Sequence, residues 1–87
     1  MTGRREIHME IKDIEAVIEG MLFAAGDVLS LQKISEAMEM DKKTLKLILN
    51  NMIVNYKNSR RGIMIREIEK GYQLCTRPEH YDYIQKL

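Results

Sequence analysis

The sequence predicts an α+β fold, mainly α, of the winged-helix type: a three-helix helix-turn-helix core, a two-stranded β-hairpin wing, then the start of a C-terminal helix. Three observations carry this. Apolar residues recur at three- and four-residue steps through two long stretches and a short one between them. Only Glu39 and Met40 join the second and third stretches, a connection short enough to force a sharp angle. Beyond Gly62 the pattern turns from helical to extended, in two short runs separated by Lys70-Gly71.

Residues 1–9 are polar and unpatterned and are expected to form a flexible arm ahead of a single domain spanning 10–87. From Glu10 onward Ile11, Ile14, Val17, Ile18, Met21, Leu22 and Ala25 mark one face of a helix, which Gly26 ends as a left-handed cap. Gly20 inside it costs about 1 kcal/mol relative to Ala, offset by close packing of another element or simply tolerated. Ser30 is placed to cap a short helix bearing Leu31, Ile34, Ala37 and Met38. Asp41 caps a third helix with the stripe Leu45, Ile48, Leu49, Met52, Ile53 and Tyr56.

The segment Asn58-Ser59-Arg60-Arg61-Gly62 reads as a loop and Ile63, Ile65 and Ile68 as a strand. Lys70-Gly71 is the expected turn, and Tyr72 to Arg77 the return strand, with Tyr72, Leu74 and Thr76 on one face. Pro78 then opens a last helix from Glu79 to Leu87.

A chain of 87 residues with 45% hydrophobic and 31% charged side chains supports one modest core, with no room for a catalytic domain beside a second module. Glu10, Lys12, Asp13 and Glu15 interrupt any signal-like apolar stretch, and no run of roughly eighteen apolar residues exists to span a membrane. The lone Cys75 cannot form an internal disulfide, so a reducing, cytoplasmic setting is expected. Met21, Met38 and Met52 fall at core spacings, which favours core filling over a methionine-rich binding surface.

Reaction chemistry finds no support. His8 and His80 lack neighbours at metal-ligand spacing, and Cys75 has no nearby histidine. Ser30 and Ser59 belong to a cap and a loop, Ser35 to a short helix, and the five glycines are isolated, so no phosphate-cradling loop forms. No catalytic, cofactor-binding or metal-binding residue is predicted, and the protein is not expected to be an enzyme. The acidic residues of the first helix, Glu10, Asp13, Glu15 and Glu19, read as a solvated face.

Charge is unevenly placed although the net is only +1. Residues 41–61 hold six Lys/Arg against one Asp, while residues 1–40 hold four against eight acidic groups. Lys42, Lys46 and Asn50 share a face of the third helix with Lys43 beside them, and Arg60 and Arg61 lie in the loop before the wing. These six are the candidates for DNA contact. The row carries no arginine for bidentate guanine recognition and the total charge is near neutral, so contact is expected to be weak or indirect, or the row is merely a solvated lysine face.

The run Ile14-Glu15-Ala16-Val17-Ile18-Glu19-Gly20-Met21-Leu22-Phe23-Ala24-Ala25-Gly26-Asp27-Val28-Leu29-Ser30 resembles the opening of the segregation and condensation protein B (ScpB) family. Arg61-Gly62-Ile63 and Gly71-Tyr72-Gln73-Leu74-Cys75-Thr76-Arg77-Pro78-Glu79 extend the resemblance across most of residues 11–79. It implies a cytoplasmic, nucleoid-associated, non-enzymatic subunit of a bacterial chromosome-condensing complex. Such a subunit forms a homodimer and binds a kleisin (ScpA-like), and through it a structural-maintenance-of-chromosomes (SMC) ATPase. Members resemble tandem winged-helix proteins that pair through the first module and clasp the kleisin mainly with the second. This chain is therefore expected to be the first of two domains of a longer protein, keeping self-association and losing much of the kleisin contact. Met21, Phe23, Met64 and Tyr72 are the candidates for a self-association or partner surface, each equally readable as core. The alternative function is a winged-helix DNA-binding transcription regulator, in which the lysine row would supply most of the affinity.

Overall fold

The computed structural model describes residues 9–87. The arm expected over residues 1–9 lies outside the described residues except for Met9, which is exposed.

Helix α1 runs Ile11–Ala25. At its start the Asp13 carboxylate accepts from the Glu10 N–H at 3.3 Å. At its end Gly26 takes φ 67°, a left-handed conformation that costs glycine nothing, and its N–H donates to the Leu22 carbonyl. The chain then forms a two-residue strand β1, Leu29–Ser30, and passes directly into α2, Leu31–Met38. Ser30 Oγ accepts from the Lys33 N–H at 3.1 Å, the N-cap its position implied. Ser35 clamps the turn after α2 by donating its hydroxyl to the Met40 carbonyl at 2.5 Å. Helix α3, Lys42–Asn58, starts on Asp41, whose carboxylate accepts from the Thr44 N–H at 2.9 Å and the Thr44 hydroxyl at 2.8 Å.

The wing is the antiparallel pair β2, Ile63–Ile68, and β3, Gly71–Thr76, with Ile65 opposite Leu74 and Ile68 opposite Gly71. Three features differ from the sequence expectation. Strand β1 pairs with β3, so the sheet has three strands in the order β1-β3-β2. Two residues are too few for a period to be read from sequence. The turn is Glu69-Lys70, with Glu69 at φ 54°, and Gly71 belongs to the strand. Glycine is required there by close approach: a Cβ at Gly71 would lie 2.6 Å from Val28 Cγ1 and 2.8 Å from the Leu29 carbonyl oxygen. Finally, the last helix shrinks to a 3-10 turn, Pro78–His80, and one α turn, α4, Tyr81–Ile84. Its apolar side chains are exposed, and so short a helix with little to pack on gains too little to propagate.

The core joins Ile14, Ile18 and Leu22 of α1, Ile34 of α2, Leu45, Ile48, Leu49 and Met52 of α3, and Ile65 and Tyr72 of the wing. Burying each such aliphatic side chain stabilises the fold by about 1.5–3 kcal/mol. Met52 is a core member, and Met21 and Met38 pack against the core, as their helical spacing implied, joined by Met40 from the connection between α2 and α3. A Cβ at Gly20 would meet nothing within 4 Å, so tolerance rather than close packing explains that glycine within the chain itself.

Gly71→Ala is therefore expected to lower stability by about 1–3 kcal/mol in urea unfolding, because the added methyl group overlaps β1. Gly62→Ala, with open space at its Cβ, should stay within about 0.5 kcal/mol of the parent.

Candidate interaction surfaces

The six candidates for DNA contact do not converge. Lys42, Lys43, Lys46 and Asn50 are exposed on the N-terminal half of α3, whereas Arg60 and Arg61 follow its C-terminus. At 1.5 Å per residue the end of α3 lies about 24 Å from Lys42 and about 12 Å from Asn50. Lys46 is also engaged, its Nζ lying 3.2 Å from the Glu67 carboxylate of β2. That hydrogen bond and the charge behind it raise the Lys46 pKa above its usual value. The outward face of α3 is not purely basic, since Leu47 and Val54 are 66% and 52% exposed.

Beyond α3 lies a residue that spacing could not flag. Arg77, at the exit of β3, is 9% exposed, and its guanidinium faces backbone carbonyls rather than solvent. Its Nε donates to the Arg61 carbonyl at 2.6 Å; its Nη2 donates to the carbonyls of Ser59, at 2.8 Å, and of Tyr56. Longer bonds reach the Lys57 carbonyl at 3.4 Å, and Nη1 lies 3.5 Å from the Glu79 carboxylate. The last carbonyls of a helix have no partners within it and sit at the negative end of its dipole, so a fixed cation there satisfies both needs. The only signal in the sequence was Arg77-Pro78 at the end of a strand, which reads equally as an exposed strand end.

Helices α1 and α3 are joined by a polar seam. Glu19 accepts from the Tyr56 hydroxyl, and Glu15 from the Asn51 side-chain amide at 3.4 Å. Both carboxylates are half-buried, which corrects their reading as part of a solvated face. Burial first, then the Glu19 carboxylate, push the Tyr56 hydroxyl up to about 12.

The four candidates for a partner surface separate by burial. Tyr72 is 1% exposed and belongs to the core; its hydroxyl is buried without a partner among the described residues, and burial pushes its pKa up. Met21 packs against the core. Phe23, in contrast, is 80% exposed on the outer face of α1. Met64 is half-buried and lines an open groove of about 680 Å³ between α3 and β2, with Asn50, Ile53, Val54, Lys57 and Arg66. Among the described residues no group of three or more His, Cys, Asp or Glu is placed to hold a metal ion, and no helix is long and apolar enough to cross a membrane.

The fold and its surfaces define a winged-helix domain whose accessible features are an apolar helix face, an apolar groove and a lysine row. The family model for "segregation and condensation complex subunit ScpB" matches residues 16–87, and the chain belongs to that family. It is 58% identical over 80 residues to segregation and condensation protein B of Acetivibrio thermocellus, covering 91% of this chain and 40% of the relative. It is 56% identical over 79 residues to the protein of the same name from Ruminiclostridium cellulolyticum, with 91% and 42% coverage. The chain thus spans about two fifths of the length of these relatives. Among solved structures it resembles a dimer of ScpB N-terminal domain complexed with ScpA peptide, at 32% identity and TM-score 0.82, covering 87% of this chain and 95% of that one. ScpB from Mycobacterium tuberculosis, at 19% identity and TM-score 0.85, shares the fold.

Arg77→Ala should cost about 2–4 kcal/mol in urea unfolding by leaving several carbonyls without a donor, and Arg77→Lys should recover less than half of that, since an ammonium cannot span the fork. The raised Tyr56 value gives a pH dependence. Its contribution is whole below the ordinary tyrosine value of 10.0 and is lost as pH rises through about 12. Over that interval Tyr56→Phe should lose less stability than the parent, and the difference between their ultraviolet absorbance titrations should report the Tyr56 step.

Proposed function

We propose that this domain acts in chromosome condensation and segregation as a non-enzymatic accessory module of an SMC–kleisin complex, pairing with a second copy and holding a kleisin segment. The observation that carries this reading is the likeness to the ScpB N-terminal domain solved as a dimer with an ScpA peptide, which extends over nearly all of both chains. The surfaces are compatible with it. The α3–wing groove has an apolar floor of Ile53, Val54 and Met64. Of the charges that line it, Glu67 is paired with Lys46 and Glu79 with Arg77, which leaves Lys57 and Arg66 to favour an acidic, apolar segment. The link to an SMC ATPase would run through the kleisin, and DNA contact would be weak or indirect.

The second reading, a DNA-binding regulator, rests on the exposed Lys42 and Lys43 at the start of α3. Two titrations separate them. Calorimetry of the domain with an ScpA-type kleisin peptide is expected to show binding that Val54→Glu abolishes. Fluorescence anisotropy with short duplexes is expected to show only weak, sequence-blind binding that disappears as salt is added. Tight, sequence-dependent DNA binding lost on charge reversal of Lys42, Lys43 and Lys46 would overturn the accessory-subunit reading.

A further inference from the structure

Tyr72 closes the core with its ring, yet its hydroxyl is buried without a partner among the described residues. A buried O–H that gives up hydration for no hydrogen bond is rare in folded proteins and calls for a reason. Its surroundings supply one. Tyr72 stands opposite Glu67 in the β2–β3 register, so the two side chains share a face of the sheet. Lys46 reaches the same place from α3, with its Nζ 3.2 Å from the Glu67 carboxylate. Burial raises the pKa of the tyrosine hydroxyl, Glu67 raises it further and Lys46 opposes them, so both charges lie close enough to act on it.

These three side chains line a cavity of about 370 Å³. Ser30, Leu31 and Gln32, at the start of α2, line it too, and Lys42 and Lys70 complete a set of three lysines against Glu67 and Glu69, which leaves the wall positive. The Leu31 N–H donates to the Lys70 carbonyl at 2.9 Å, which holds the β2–β3 turn against the beginning of the helix. The positive end of the α2 dipole therefore meets a space already lined by lysines from α3 and from the turn.

We propose that this cavity binds the terminal phosphate of a small phosphate monoester, with Lys42, Lys46 and Lys70 supplying charge, the start of α2 its dipole, and the Tyr72 hydroxyl donating to one oxygen. Without the ligand, Glu67 holds Lys46 in the anion's place. The side chains of Lys46 and Glu67 are 53% and 38% exposed, so their pair is screened by solvent, contributes little and exchanges readily. A phosphate takes the ammonium from Glu67 and reaches past it to the tyrosine hydroxyl. Three terminal oxygens and up to two charges suit a site of three cations and one neutral donor. A phosphodiester has two free oxygens, one charge and a substituent on either side, which keep it from a cavity that ends on a buried hydroxyl.

Amide chemical-shift titration of the chain with inorganic phosphate, set against sodium chloride at equal ionic strength, tests the assignment. Phosphate should move the signals of Ser30, Leu31, Gln32, Lys70 and Tyr72 saturably. Tyr72→Phe keeps the ring in the core, so its circular dichroism should stay native while its phosphate dissociation constant rises about fivefold. Glu67→Gln removes the competing carboxylate and should lower that constant about fivefold, an opposite shift that a general loss of stability does not produce. Methyl phosphate should bind as phosphate does, and dimethyl phosphate at least about tenfold more weakly. Shifts that chloride reproduces, or phosphate binding unchanged by Tyr72→Phe, would overturn the site and leave Tyr72 a core residue alone. Dimethyl phosphate and a short DNA duplex binding at these residues as tightly as methyl phosphate would overturn the small-molecule assignment and give the cavity to a nucleic-acid backbone.

Discussion

The guanidinium of Arg77 stands where three parts of the chain end: the C-terminus of α3, the loop that enters the wing, and the exit of β3. The first two leave backbone carbonyls without a regular partner, and the third supplies the side chain that meets them. One planar cation with five donors in a fixed fork answers Tyr56, Lys57, Ser59 and Arg61 together. The consequence is geometric as much as energetic. With the end of α3 bound to the end of the wing, the angle between helix and hairpin is set, and so is the groove between them. The Lys46–Glu67 pair makes a second tie nearer the start of α3, but it is solvent-exposed and adds little by itself. The buried end of the wing fixes the arrangement, and the exposed pair only tunes it.

What could be read from the residues alone follows the range of the forces involved. The stripe of α3, the caps Ser30 and Asp41, and the stop at Gly26 depend on neighbours within four residues and are where their spacing put them. Of the α1 stripe, Ile14, Ile18, Met21 and Leu22 turn inward and Ile11, Val17 and Ala25 are exposed, because the helix packs on one side only. Strand β1 exists only because β3 lies beside it, and Gly71 is a glycine because Val28 and Leu29 press on it. Arg77 has partners sixteen to twenty-one positions away. Glu15 and Glu19 look like solvent-facing acids in one dimension and become the seam to α3 in three. Long-range contacts leave no period in a sequence, so these residues were invisible to it.

The surfaces follow the same division. Phe23 falls in a run whose apolar density suggested core, and only the helix orientation shows that it turns outward. Tyr72 was as plausible a contact residue by composition, yet it closes the core beneath the wing. Four residues of similar character therefore take different places, because a helix stripe spans about a third of the circumference and a strand alternates face by face.

The fate of the third helix bears on what kind of winged helix this is. A helix that reads DNA needs its outward face polar and its cations free to meet phosphate. Here Lys46 is held by the wing, Leu47 and Val54 face outward, and the two arginines lie at the far end. An apolar outward face would leave water unfavourably placed against base edges and phosphates, whereas it contributes directly to a protein interface. The side chains on the domain's accessible surfaces suit the protein-binding role proposed for it better than a role in reading DNA.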